Sequence, residues 1–299
     1  MGGTGDGTAV TARDFGLEGP RGWAFRGVRV DAGPGALIAI EGPSGSGRTC
    51  LLLALTGRMK ATEGTATVGG ARLPKRLAAV RRVSALANVT GVTDLDPALT
   101  VGEHLRERAL LQRRFGGSVR GLLRPRAERV TEARLRVDTA LAAAGLDPET
   151  LPKGARTAVR DLERLEALRL SIALALIGRP LLLGLDDADL KLSAAERADV
   201  WALLTSLTEA GTTVVAVCSE APEGAIAVTA RPIPDTDTDT DTGAGVATGT
   251  GMASGTESGA ATDTKAAAEA DAKTDTKTDT NTDDEAKEAA DALAETGRA

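Results

Sequence analysis

The sequence predicts an α/β fold: a mainly parallel sheet flanked by helices, with an inserted helical lobe and a disordered acidic C-terminal tail. Three observations carry that prediction. Apolar runs of strand length, Ala36–Ile40, Leu181–Leu185 and Thr212–Val217, alternate with stretches of helical period, the pattern of a parallel sheet covered on both faces. The interval from about 103 to 177 reads almost wholly as helix and forms a lobe of its own. From about Pro232 the composition turns to Thr, Asp, Ala, Gly and Lys, with almost no Leu, Ile or Phe. Such a segment cannot bury enough apolar surface to offset chain entropy.

The elements follow in order. Residues 1–8 are glycine-rich and expected to be flexible. Trp23–Val30 alternates as a strand does, Asp31–Gly35 is a turn, and Ala36–Ile40 is the next strand. A helix covers Arg48–Leu55, with Gly57 placed to cap it. Thr65–Val68, Gly69-Gly70 and Ala71–Leu73 read as a hairpin, and Val83–Leu86 as a short strand. Thr100 with Glu103 predicts a capped helix start, and the helix runs from His104 to about Arg114 until Gly116, Gly117 and Ser118 break it. Arg126–Ala144 is a second long helix ended by Gly145, and Leu162–Ile177 a third, stopped by Gly178-Arg179-Pro180. Ala194–Leu207 is helical, and Ala225–Val228 is a last strand.

Charge divides the chain as composition does. The whole carries −6; residues 233–299 hold 16 acidic and 5 basic side chains, a balance of −11, which leaves the first 232 at about +5. A mildly basic body therefore carries an acidic tail. No apolar run has the length needed to span a bilayer, and the N-terminus has no secretion-signal pattern. The expected location is cytoplasmic, or peripheral at the inner face of a membrane through a partner. Cys50 and Cys218 sit in apolar runs and form no disulfide framework.

The chemistry concentrates after the strand that ends at Ile40. Gly42-Pro43-Ser44-Gly45-Ser46-Gly47-Arg48-Thr49 has the spacing of a phosphate-binding loop, with arginine in place of lysine. The glycines let backbone N–H groups turn inward around an anion, and the start of the following helix adds partial positive charge. Residues 42–49, with Cys50, are the candidate nucleotide-binding residues of a P-loop NTPase.

Further motifs stand in a recognisable order. The helix over 162–177, Gly178-Arg179-Pro180, the apolar run Leu181–Leu185 and the pair Asp186-Asp187 resemble the corresponding segment of ATP-binding cassette ATPases. Thr100–Leu105 resembles that family's "LTVxExL" element, and Gly211–Val215 the strand before its switch histidine. The resemblance covers roughly residues 20–232 and implies ATP and Mg²⁺ as ligands. It implies that Arg48 faces the β- and γ-phosphates and that Thr49 and Asp186 serve Mg²⁺. Asn88 aligns loosely with the Mg²⁺-sensing glutamine. The implied domain is 9–232, with a helical lobe at about 103–177 and a disordered tail over 233–299.

The departures from the family pattern lie on the hydrolytic path. Asp187 stands where the water-orienting glutamate is expected, one C–C bond of roughly 1.5 Å shorter. Ser219 stands at the switch histidine, so Asp187 and Ser219 are degenerate catalytic positions. Leu162-Glu163-Arg164-Leu165-Glu166 aligns with "LSGGQ", whose serine and glycines approach the partner's γ-phosphate in the family; here two carboxylates enter instead. Leu190–Ser193 aligns with the D-loop. Trp23 and Phe25 are the aromatics nearest an adenine platform, with a core role open for both. His104, the single histidine, is an ordinary lobe residue.

The resemblance implies a subunit that binds Mg-ATP, couples it to a membrane-spanning transporter partner and hydrolyses slowly or not at all. It would act as a homodimer or as a heterodimer with an intact cassette. The alternative is a nucleotide-gated regulatory or scaffold protein without a transport role; a small-molecule kinase lacks an acceptor site or lid. Arginines from Arg106 to Arg136, among them Arg113, Arg114, Arg120, Arg124, Arg126 and Arg129, alternate with Glu103, Glu107, Glu128 and Glu132 and lack aromatics apart from Phe115. A solvated face is favoured over nucleic acid. The Asp235–Asp241 repeat lacks EF-hand register and reads as a solvating tail.

Overall fold

The computed structural model describes residues 7–115 and 126–230, with side chains omitted over 113–127. The expectations for residues 1–6, for the break at 116–118, for the arginines between 113 and 126 and for the tail from 233 lie outside the described residues.

Two sheets form the body. The first is antiparallel, in the order β2–β1–β4–β5, from β1 (Val10–Gly19), β2 (Gly22–Ala32), β4 (Glu63–Val68) and β5 (Ala71–Leu73). The second is fully parallel, in the order β6–β7–β8–β3–β9, from β3 (Leu37–Glu41), β6 (Ser84–Ala87), β7 (Leu182–Leu185), β8 (Thr213–Val217) and β9 (Ile226–Thr229). The helices are α1 (Arg48–Leu55), α2 (Leu77–Val83), α3 (Val101–Phe115), α4 (Arg126–Ala143), α5 (Arg164–Leu176) and α6 (Ala194–Glu209). Three single 3₁₀ turns, Pro148–Thr150, Gly154–Arg156 and Val159–Asp161, link α4 to α5.

Strands β3, β6, β7 and β8 are buried on both faces, as their apolar runs require, while the edge strand β9 is largely exposed. Alternate residues of one strand enter different cores. Leu182, Val215 and Val217 join Phe15, Phe25, Leu51, Leu52 and Leu55 on the side of α1 and the antiparallel sheet. Leu183, Leu185, Val214 and Ala216 join Val101, Leu141, Ile172 and Leu204 on the side of α3 to α6. This period-two division comes from the pleat.

Most elements match their sequence expectation. Helix α1 occupies the expected residues, and Gly57 follows it at φ 77. Thr100 and Glu103 close the expected box: the Thr100 backbone N–H donates to Glu103 Oε2 at 2.7 Å, and the Glu103 N–H donates to Thr100 Oγ1 at 3.3 Å. Two elements have no counterpart in the sequence reading. Helix α2 is short. Strand β1 is irregular: its register shifts three times against β2, Asp14 has φ 47, and Phe15, Gly16 and Leu17 are buried in succession. Bulges erase the alternation by which a strand is recognised.

Parallel strands end at one edge, and that edge positions the site. Val217 pairs with Ile40, Ala216 with Leu185, and Leu185 with Ala87. The segments that begin at Gly42, Asn88, Asp186 and Cys218 therefore emerge side by side, the usual ligand position of an open α/β sheet.

Candidate functional site

The turn from β3 into α1 depends on three glycines. Gly42, Gly45 and Gly47 have φ of 138, 80 and 87, where a Cβ is unfavourable. Gly47 has a second constraint, since a Cβ there would lie 1.8 Å from the Ala24 carbonyl oxygen on β2. The backbone N–H of Ser46 donates to Pro43 O at 3.2 Å, which closes the turn. The Ser46 hydroxyl is buried and has no hydrogen-bond partner among the described residues. Helix α1 starts with no side-chain cap and no acidic residue in its first turn. Its first N–H groups therefore face outward unneutralised, an arrangement that suits an anion.

Arg48 and Thr49 point to the neighbouring strand ends. Arg48 Nη1 donates to the Cys218 carbonyl at 2.5 Å, tying the loop to the end of β8. The Thr49 hydroxyl donates to the Asp186 carboxylate. Asp186 is 4 % exposed. Burial pushes its carboxyl above the usual range and Asp187 adds to that, while the Thr49 hydroxyl, the Asp187 N–H and Arg48 pull the other way. A charged group held like this gains from a cation placed beside it. Cys50 is half-buried on α1, and Cys218 is buried, its thiol pushed up to about 12, first by burial.

The other candidate residues surround this pair. The Asp187 N–H donates to Asp186 Oδ1 at 3.1 Å, and Asp187 has φ 49. The Asn88 side-chain amide donates to the Asp186 backbone carbonyl at 2.9 Å, which holds Asn88 beside Asp186. Ser219 is exposed, and its segment is held by carboxylates: its N–H donates to Asp189 Oδ2 at 2.8 Å, and the Ala221 N–H donates to Glu41 Oε2 at 3.1 Å. Among the described residues no group of three His, Cys, Asp or Glu side chains could hold a metal. Thr49 and Asp186 are too few for a protein cage. They suit Mg²⁺, which keeps waters and takes one or two protein ligands plus phosphate.

The residues aligned with "LSGGQ" form the start of α5. Glu163 is its N-cap: the Glu163 carboxylate accepts from the backbone N–H of Glu166, and Glu166 Oε2 accepts from the Glu163 N–H at 2.9 Å. Of the two aromatics, Phe25 is fully buried with its ring centroid 5.8 Å from that of Phe15, and Trp23 lies under the Arg26 guanidinium at 4.5 Å. Both aromatics therefore have partners inside the protein. His104 is buried, with Nε2 3.2 Å from the Asp96 carbonyl.

The sequence reading missed the residues that brace the site. Glu41, Asp189 and the Cys218 carbonyl carry no spacing signal. Ser171 does carry one: it is a polar residue inside the apolar stripe of α5, buried, and its hydroxyl accepts from the Asn88 N–H at 2.7 Å.

Comparison with known proteins gives the family and the fold. Residues 25–189 match the family model described as ABC transporter. The chain is 32% identical over 187 residues to a Nod factor export ATP-binding protein I of Cupriavidus metallidurans, covering 62% of this chain and 54% of that protein. It is 34% identical over 192 residues to a Fe(3+) ions import ATP-binding protein of Streptomyces avermitilis, covering 64% and 49%. The matched region thus spans about half the length of these relatives. A dimeric bacterial ABC transporter cassette superposes with a TM-score of 0.57 at 22% identity, over 74% of this chain and 94% of that one. A cassette from Clostridium perfringens, part of an ABC transporter complex, gives 0.55 at 19% identity over 71% and 78%. These structures share the fold. Among the described residues no helix is long and apolar enough to cross a membrane.

Proposed function

The chain belongs to the ABC transporter family, and on that premise we propose that it is an ATP-binding cassette that holds Mg-ATP and couples it to a membrane-spanning partner, with slow or absent hydrolysis. Residues 9–232 form the nucleotide-binding domain of this proposal, with a helical lobe at about 103–177 and the acidic segment 233–299 appended. The observation that carries it is the contrast between an uncapped α1 and a carboxylate-capped α5.

Binding falls to residues 42–50. The loop N–H groups and the orphaned Ser46 hydroxyl supply donors, Arg48 the cation, and Thr49 with Asp186 the Mg²⁺ contacts, with Asn88 bracing Asp186. Bound Mg²⁺ neutralises charge on phosphate oxygens. One Arg48 nitrogen is committed to Cys218 and four N–H donors remain.

Hydrolysis depends on positioning, and three positions are compromised. The Asp187 carboxylate is roughly one bond short, and a shift of about 1 Å in a catalytic group costs ~10²-fold. Ser219 supplies no imidazole. The α5 N-terminus, which would face a partner's phosphate, is already neutralised by Glu163 and Glu166, so closure against a second copy is weak. A heterodimer with an intact cassette restores the missing element for this chain's own loop.

The test is Mg-ATP binding and turnover by the purified chain beside an Arg48→Lys, Asp187→Glu, Ser219→His triple variant. We expect comparable binding, with turnover at least tenfold higher in the triple variant. A working rate in the natural chain that Arg48→Ala abolishes would overturn the slow-hydrolysis reading. Co-purification with an integral membrane protein tests the coupling; its absence would favour a regulatory or scaffold role.

A further inference from the structure

A second polar cleft, of about 270 Å³, opens where the end of α2 meets β6, α3 and the turn at Gly178–Pro180. None of its lining residues belongs to the glycine loop or to the Asp186–Asp189 segment. Four arginines line it, Arg58, Arg81, Arg82 and Arg108, and no Asp or Glu does. None of the four forms an ion pair among the described residues.

Two of the arginines are set by the fold. Arg58 Nη1 donates to the Thr56 carbonyl and the Ser84 hydroxyl, and its Nη2 donates to the Ser84 carbonyl at 3.0 Å. Arg108 Nε donates to the Leu174 carbonyl at 3.1 Å. Thr56 and Leu174 lie at the C-terminal ends of α1 and α5, where partial negative charge favours a cation. That accounts for Arg58 and Arg108, and leaves the other two. Arg81 reaches the Gly57 carbonyl only at 3.5 Å, and Arg82 has no hydrogen-bond partner among the described residues. Both are exposed. The crowding has an electrostatic signature: burial pushes the Arg58 guanidinium down to about 10, and Arg81 and then Arg108 push it the same way.

Cations gathered in one cleft without a counter-charge are stabilised by an anion that enters it. The volume is below the roughly 300–1,000 Å³ of sites that enclose drug-sized ligands. Guanidinium forks match phosphate oxygens in pairs, and several forks around one cleft favour an anion with more than one charge. We infer that this cleft is an anion site, separate from the glycine loop, for a small phosphate-bearing molecule gripped by Arg81 and Arg82 against the preset cations Arg58 and Arg108. Gln112 adds a neutral polar group to the lining.

The experiment is calorimetric titration of the full chain with inorganic pyrophosphate, without Mg²⁺ or nucleotide. An Arg48→Ala, Thr49→Ala background silences the glycine loop. One site is expected to persist there, and Arg81→Ser with Arg82→Ser is expected to weaken it at least tenfold. These two side chains are exposed, so the fold should survive, which an unchanged melting temperature checks. In the natural chain the same pair should remove one class of site and spare the other. Three outcomes would overturn the assignment: no site in the silenced background, equal weakening by a control pair (Arg13→Ser with Arg160→Ser), or citrate binding as tightly as pyrophosphate.

Discussion

The N-termini of α1 and α5 start from the same physics and reach opposite states. Each presents backbone N–H groups without intrahelical partners and the positive end of a helix dipole. At α1 the N-cap is Gly47, no side chain bonds the exposed N–H groups, and the first turn has no acid. At α5, Glu163 and Glu166 bond each other's backbone N–H groups. One end keeps its attraction for an anion; the other has met it with carboxylates from its own chain. A family likeness that marks both segments does not separate these states. The capping chemistry does.

The largest expected effect comes from closing the open end. Gly47→Ala places a methyl against the Ala24 carbonyl at a left-handed φ. It should cost about 3 kcal/mol or more in urea unfolding and about 10²-fold in ATP affinity. Gly45→Ala has a similar φ and nothing within 4 Å of the new Cβ, so it should cost only about 1–2 kcal/mol. Equal losses would show that backbone conformation alone, and not the approach of β2, sets the loop.

Opening the closed end is a smaller perturbation. Glu163→Ser with Glu166→Gln keeps a hydroxyl cap and removes both charges. Stability should fall by no more than about 1 kcal/mol. Sedimentation with Mg-ATP should show self-association strengthened at least tenfold over the natural chain. Unchanged association would detach α5 capping from closure.

The smallest effect concerns helix ends capped by a hydroxyl with a carboxylate. Hydrogen bonds from the Thr100 backbone and side chain hold the Glu103 carboxyl below its usual range at α3, and the Ser193 side chain and backbone do the same for Glu196 at α6. Both values are depressed in the folded state, so their stabilisation is present above the ordinary carboxylate range. It drains as pH falls through the depressed values. Hydrogen exchange at falling pH should show the first turns of α3 and α6 losing protection before β3, β7 and β8. Simultaneous loss would mean these caps are not separate contributors.

Much of this molecule is written locally. The strand runs, the glycine spacing, the Thr100–Glu103 box and the Asp186-Asp187 pair each lie within about ten residues of sequence, and periodicity, turn chemistry and capping act over that range. From them the α/β class, the order of the elements and the position of the loop could be read before any coordinates. The irregular β1 could not, because bulges cancel the period that marks a strand. Nor could contacts that join distant segments. Arg48 reaches Cys218 across 170 residues, Asn88 reaches Asp186 across 98, and Arg58 reaches Ser84 across 26. The cleft gathers its four arginines from three separate segments. Such convergence depends on which strand ends and helix ends the parallel sheet brings together, and an isolated segment carries no record of it. By itself the sequence determined a phosphate-type loop on an α/β sheet. Tertiary structure alone decided which cations are committed and where charge remains unpaired.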